Sequence, residues 1–320
     1  MPVSLAEAKN NAQEDLDVAV IDEFRKESVI LDSLAFDDAV NPSGGGATLE
    51  YGYRRLVTQP TAATRALNTE YTASNVTTQK YTVELAVMGG SFEVDRVIAR
   101  VGPAASSAVT LNMAQKIKAA RTRFQDEVIN GDTAVDPAGF DGLDKALSGS
   151  STEWLPADNG HPSGYVDWTD LDGDAAHAAL DLLDEWLSML DGTPTLILGN
   201  RVALARVRAL ARRAGMYVRN PVDGLVGQQG RPVVRETYGS IVFADPGEKA
   251  GVGDPIIPVE TRDPGGGNVT GLTDLYAVRI GLDGFHGVTT VGSQIVYSWL
   301  PDFESAGAVK RGEVELGPVG

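Results

Sequence analysis

His161, His177 and His286 are the first residues to weigh for chemistry, because imidazole is the side chain best suited to move protons or hold a metal near neutral pH. They are the only three histidines in the sequence. No two stand four residues apart, the spacing that puts a ligand pair on one helix face. They fall in a loop, a helix and a glycine-rich turn, and read as ordinary surface positions. The acidic run Asp170-Leu171-Asp172-Gly173-Asp174 invites a calcium loop. Such a loop requires glycine at its sixth position and glutamate at its twelfth. Counted from Asp170, those positions hold Ala175 and Asp181. The aspartates read instead as a helix start, where they accept from free N–H groups and complement the dipole. Gly44-Gly45-Gly46 and Gly265-Gly266-Gly267 lack the lysine and spacing of a phosphate loop and read as linkers or loop tips. Cysteine is absent, which removes thiol nucleophiles, disulfides and thiolate metal sites. The expectation is no cofactor, no metal and no enzyme.

One charged feature stands out. Arg201, Arg206, Arg208, Arg212, Arg213, Arg219, Arg231 and Arg235 gather in a chain of formal net charge -17 and pI about 4.5. Such an acidic chain disfavours adhesion to nucleic acid and to anionic membranes. The arginines read as a contact for an anion or nucleic acid, or as a helix surface pairing with acidic groups of a neighbouring lobe or subunit. Without aromatics interleaved for base stacking, the second reading is favoured.

The elements that must position these groups are uneven. The 320 residues suit two lobes. The N-terminus lacks the basic region and apolar core of a signal peptide, and no segment has the roughly 20 apolar residues of a membrane span; synthesis in a cytoplasm is expected. Residues 1 to 46 form an acidic segment in which Leu5, Ala8, Ala12, Leu16, Val20 and Phe24 make one narrow apolar stripe. They read as an arm rather than part of a core. Residues 47 to 88 read as a long hairpin, ATLEYGYRRLV pairing with TTQKYTVELAVM around the polar TQPTAATRALNTEYTASN. The return strand alternates strictly until Gly89-Gly90, where a change of direction is expected. Residues 103 to 130 read as one helix of about 40 Å. From Thr169 the pattern alternates helix and strand, which predicts an α/β lobe. The last segments are β, with VKRGEVELGPVG as a final strand and a loose end. The arm and the hairpin have nowhere to bury their apolar faces within one subunit, and packing between identical copies solves this. A large homo-oligomer is expected.

Several stretches, in order, resemble the major capsid proteins of tailed phages of the Hong Kong 97 type. They are TRALNTEY, VELAVMGGSFEVDRVI, RFQDEVINGD leading to GFDGL, then PTLILGNR, VVRETYGSIVFADP and LYAVRIGLDGFHGVT. The resemblance implies an α+β Hong Kong 97-like capsid fold: an N-arm (1 to 46), an extended loop (47 to 88), a peripheral domain (89 to 149) with its spine helix (103 to 130), an α/β axial domain (150 to 275), and return strands with a C-terminal tail (276 to 320). It implies an icosahedral virion shell around double-stranded DNA that is near the subunit without sequence-specific binding. The implied partners are other copies in hexamers and pentamers, a portal, a scaffold and a cement protein. The family's Lys–Asn crosslink is not expected, because Lys80 is the only lysine between residues 47 and 88 and does not lie in the middle of the tip. The expected subunit-interface residues are Phe24, Tyr51, Tyr53, Arg54, Arg55, Arg65, Glu70, Lys80, Tyr81, Val83, Gly89, Gly90, Arg208 and Arg212. An encapsulin-like compartment enclosing protein cargo is the alternative within the fold. An α/β enzyme with an appended β domain is the alternative outside it.

Overall fold

The segment VKRGEVELGPV alternates large and small, charged and apolar. The computed structural model shows it as the strand on which one lobe is built. The structure describes residues 29–40, 46–100, 108–155, 166–169, 172–190, 192–213, 219–226, 232–238, 241–263, 267–290 and 295–320. In chain order the elements are α1 (Val29–Ser33), β1 (Phe36–Ala39), β2 (Glu50–Thr58), β3 (Thr77–Glu84), β4 (Ala86–Asp95), α2 (Arg96–Arg100), α3 (Ala108–Asn130), α4 (Leu143–Leu147), α5 (Gly173–Ser188), β5 (Leu196–Gly199) and α6 (Arg201–Arg213). Then follow β6 (Arg219–Val226), β7 (Pro232–Tyr238), β8 (Ile241–Ala244), β9 (Glu260–Arg262), β10 (Val269–Leu272), β11 (Leu275–Val278), β12 (Gly287–Thr290), β13 (Val296–Trp299) and β14 (Val309–Val319).

The first sheet runs β1-β12-β14-β13, with β4 also on β14. β14 is therefore its centre, not a loose end: it pairs antiparallel with β4 from Val309 opposite Asp95 to Val319 opposite Ala86, and Val314, Leu316 and Val319 are fully buried. The long helix α3 packs on β4 and β14, on the face that carries Met88, Phe92 and Val94. Its C-terminal half supplies the core residues Phe124, Val128 and Ile129, while Arg121 is exposed. Residues 103 to 107 of the expected helix lie outside the described residues.

Residues 29 to 40, expected in the arm, belong to this body. Ile30 is buried, its N–H donates to the buried Gln125 Oε1 at 3.2 Å, and β1 pairs in parallel with β12. The arm stripe that includes Phe24 lies outside the described residues.

The second sheet runs β11-β5-β8-β7-β6. Its strand β5, LILG, is buried on both faces, as a central strand must be. Ile197 faces Leu183 of α5 and Leu204 and Val207 of α6. Leu196 and Leu198 join the core that contains Phe124 and Val128. This sheet with α5 and α6 is an α/β arrangement, and Tyr276 to Val278 are part of it. The lobes are tied by polar groups as well as by that shared core. Asn130 Nδ2, at the end of α3, donates to Ile256 O at 2.8 Å. Asn200 Nδ2, just before α6, donates to Ile257 O at 2.6 Å. The Tyr276 hydroxyl bonds Asp144 Oδ1 at 3.1 Å, and burial first, then the nearby Asp274 and Asp144 charges, push that phenol far up.

The turn after α3 closes over Glu127, which is only 3% exposed. Its Oε2 meets Arg123 at 2.7 Å, its Oε1 has no hydrogen-bond partner, and Gly139 lies directly against Oε1. Burial raises the Glu127 carboxyl, and Arg123 only partly offsets this. A carboxyl raised on folding binds its proton more tightly in the native state, so it favours folding at low pH and loses that contribution as pH rises through its folded pKa. As pH falls from 7 towards 5, the melting temperature of the unassembled subunit is expected to improve relative to a Glu127→Gln variant. Parallel melting curves at each pH check this, and a constant difference would show that Glu127 stays ionised throughout. Asp132 and Asp141, both held low by hydrogen bonds, act in a separate window, weakening the fold only below the ordinary aspartate range.

Candidate assembly surface

β2 and β3 form a two-stranded sheet of their own. Tyr51 is the only half-buried residue of β2, and Val83 the only one of β3; every other residue of the two strands is exposed. These two stand directly opposite each other, and they define the root. The Tyr51 hydroxyl donates to Asp37 Oδ2 at 3.0 Å, and its ring meets the His286 ring edge-on at 5.8 Å. Burial and then the Asp37 carboxylate push that phenol up. Val83 packs against the main core. Both bury part of their surface against their own chain. In the sequence they share one alternation with the residues further out, and only the root reaches back to β1.

Beyond the root, the hairpin is armed on its own. Tyr53 and Tyr81 stack with centroids 5.6 Å apart, and the Arg55 guanidinium lies 5.9 Å from the Tyr81 centroid. Arg54 stands opposite Lys80, and Glu50 opposite Glu84. Like charges facing each other across a ladder are destabilising. Among the described residues, no ion pair includes Arg54, Arg55, Arg65, Glu70 or Lys80.

The tip, residues 59 to 76, is exposed throughout but ordered by local bonds. Thr61 and Ser74 bond across it. Arg65 Nη1 donates to Ala66 O at 3.3 Å and Thr69 O at 3.2 Å, and its guanidinium lies 5.5 Å from the Tyr71 centroid. Asn68, in the left-handed region at φ 65°, completes the turn. This arrangement holds Leu67 outward at 90% exposure, with Glu70 beside it. Leu67 was not among the expected interface residues. The signal for it is a large aliphatic residue in the middle of a long Thr-, Ala- and Asn-rich stretch.

Gly89 and Gly90 do not end the strand. The chain changes partner at Leu85, where β3 stops and its N–H donates to Leu49 O at 2.8 Å. Both glycines lie inside β4, opposite Glu315 and Val314, and neither has a positive φ. Gly89 allows close approach of Val314 O, and Gly90 makes room for the Lys116 side chain of α3. Ser91 to Asp95 continue the strand, and Arg96 to Arg100 are helical. Arg208 and Arg212 lie apart from the hairpin on α6, half-buried and exposed respectively. Among the described residues, no group of three or more histidines and carboxylates is placed to hold a metal, and no helix is long and apolar enough to cross a membrane.

The chain is similar along nearly its whole length to solved shell structures. One is the holo-SrpI encapsulin complex from Synechococcus elongatus PCC 7942, at 14% identity and a TM-score of 0.57, with 99% of this chain and 90% of that one covered. A second is from Mycobacterium phage Bobi, at 12% identity and a TM-score of 0.55, with 100% and 98% covered. A third is the capsid of a native GTA particle, at 12% identity and a TM-score of 0.53, with 99% and 93% covered. No protein-family model and no curated protein matches. The mixed α+β fold is thus the one used by capsid and encapsulin subunits, as the sequence motifs led one to expect.

Proposed function

We propose that this chain is a structural subunit that assembles with copies of itself into the icosahedral capsid of a tailed double-stranded DNA bacteriophage, of the Hong Kong 97 type. The observation that carries the proposal is the β2–β3 hairpin, exposed on both faces beyond its root, on a body with a capsid-type fold. A lone two-stranded hairpin is marginal in water. Its outward tyrosines, leucines and like-charge pairs are all served by a neighbouring subunit that supplies apolar cover and opposite charge. In this reading the first sheet with α3 is the peripheral domain and the second sheet with α5 and α6 is the axial domain. The hairpin is the extended loop, and Tyr53, Arg54, Arg55, Arg65, Leu67, Glu70, Lys80 and Tyr81 are its contact residues. A scaffold, a portal and a cement protein are the further partners, and the shell belongs to a virion made in a bacterial cytoplasm. Its acidic charge suits a wall that must not adhere to packaged DNA.

An encapsulin-like compartment is the second reading, favoured by the likeness to the Synechococcus shell. Electron micrographs of the purified protein should show closed shells, and only isolated subunits or an active enzyme would overturn both readings. Particles isolated from their natural source should hold double-stranded DNA; protein cargo without DNA selects the compartment.

A further inference from the structure

The arginines of α6 have a partner of matching shape in the same chain. α6 carries five arginines and no acidic residue. Arg201, Arg208 and Arg212 stand at i, i+7 and i+11, which places them in one strip about 16 Å long. α5 carries Asp174, Asp181 and Glu185 at the same i, i+7 and i+11, in a strip of equal length and opposite sign. All three acids are exposed, as are Arg201 and Arg212. Among the described residues, no ion pair includes any of these five.

The strips cannot meet within one subunit. Leu210 of α6 packs with Ala176, Ala179 and Leu180 of α5. At about 100° per residue, Arg201, Arg208 and Arg212 lie roughly 160–180° around α6 from Leu210. The acidic strip lies on the side of α5 away from Ala176 and Ala179 by the same count. The two-helix layer thus presents acid on one flank and base on the other.

We infer that the basic strip of α6 docks on the acidic strip of α5 in a second copy, with the two helices parallel so that Arg201 meets Asp174 and Arg212 meets Glu185. Only the parallel arrangement matches the spacing; reversing one strip gives i, i+4, i+11. A contact joining two different surfaces of identical subunits is head-to-tail, and repeated with a rotation that closes it builds a ring. The partner is a second copy because this acidic chain carries the matching counter-surface itself. Exposed pairs add little affinity singly, but aligned charges set register and exclude wrong pairings. The inference rests on the shell reading and identifies one contact within its rings.

Three variants test it at low ionic strength, with sedimentation and electron microscopy as readouts. Arg201→Glu with Arg212→Glu makes both strips acidic, and Asp174→Arg with Glu185→Arg makes both basic; each should lower the shell yield about tenfold or more through like-charge contact. All four substitutions in one chain restore the pairing and should return the yield to near wild type. Thermal unfolding of the unassembled subunits should be nearly unchanged, and if a reversal unfolds the subunit, Arg201→Gln with Arg212→Gln reads the same loss. Wild-type assembly from the single reversals, or failure of the four-fold variant to recover, overturns the strip pairing. Unchanged assembly with loss of co-purifying nucleic acid in the arginine variant assigns the strip to nucleic acid instead and also overturns it. A wild-type chain that forms no shells overturns the proposed function itself.

Discussion

Replacing residues 59–76 by an Asn-Gly turn leaves the subunit folded and abolishes shells. Every residue removed is exposed, and their ordered contacts are with one another: Thr61 with Ser74, Arg65 with Ala66, Thr69 and Tyr71. The body therefore loses no packing. Thr58 and Thr77, whose hydroxyls lie 2.6 Å apart, are a suitable place to close a two-residue hairpin. What is lost is the outward Leu67, together with Arg65 and Glu70, from every copy. Burying one leucine contributes about 1.5–3 kcal/mol, and a closed shell repeats that term at each contact. Light scattering and micrographs should find monomers or small rings, with an unshifted melting curve. Leu67→Asp alone should produce the same defect in weaker form. Normal shells from the deleted chain would remove the hairpin from the assembly mechanism.

The legible parts of this fold were those with strong local periodicity. The helices α3, α5 and α6, the buried strand Leu196–Gly199 and the hairpin all follow from apolar spacing. What misled were residues whose role depends on long-range pairing. The segment VKRGEVELGPVG reads as a final strand with a loose end, but Gly312 lies under the Phe92 ring and β14 is the centre of its sheet. Residues 29 to 40 look like the end of an arm, because nothing in VILDSLAFDDAV announces that a strand near residue 290 will pair with it. Along the hairpin, one alternation covers Tyr51, which bonds Asp37, and Tyr53, which faces outward. The charged strips were half visible: the arginines were conspicuous by type, but their register against the acids of α5 required knowing which flank each helix buries.

Gly89→Val is expected to unfold the subunit, and Gly90→Val to spare it. The double glycine sits where β4 crosses the middle of β14. A Cβ on Gly89 would overlap Val314 O and come to 3.0 Å from the Glu315 Cα, both backbone atoms of the partner strand. Backbone in the centre of a sheet cannot swing aside without breaking the ladder that holds β14, and overpacking in a rigid place costs about 1–3 kcal/mol or more before any pairing is lost. The nearest atoms to a Cβ on Gly90 belong to the far end of the Lys116 side chain, Cδ at 3.4 Å and Nζ at 3.5 Å, which has rotamers to spare. The soluble yield and melting temperature of Gly89→Val should therefore collapse, while Gly90→Val melts within a few degrees of wild type. The sequence alone places a change of direction at Gly89-Gly90, from which replacing both with Val is expected to impair assembly more than folding. A Gly89→Val subunit that melts like wild type but forms no shells would restore that earlier account and place the hairpin's hinge at the glycines after all. Insolubility of Gly89→Val alone, with Gly90→Val assembling normally, puts the hinge at Leu85 and makes Gly89 a condition for the sheet on which the hairpin stands.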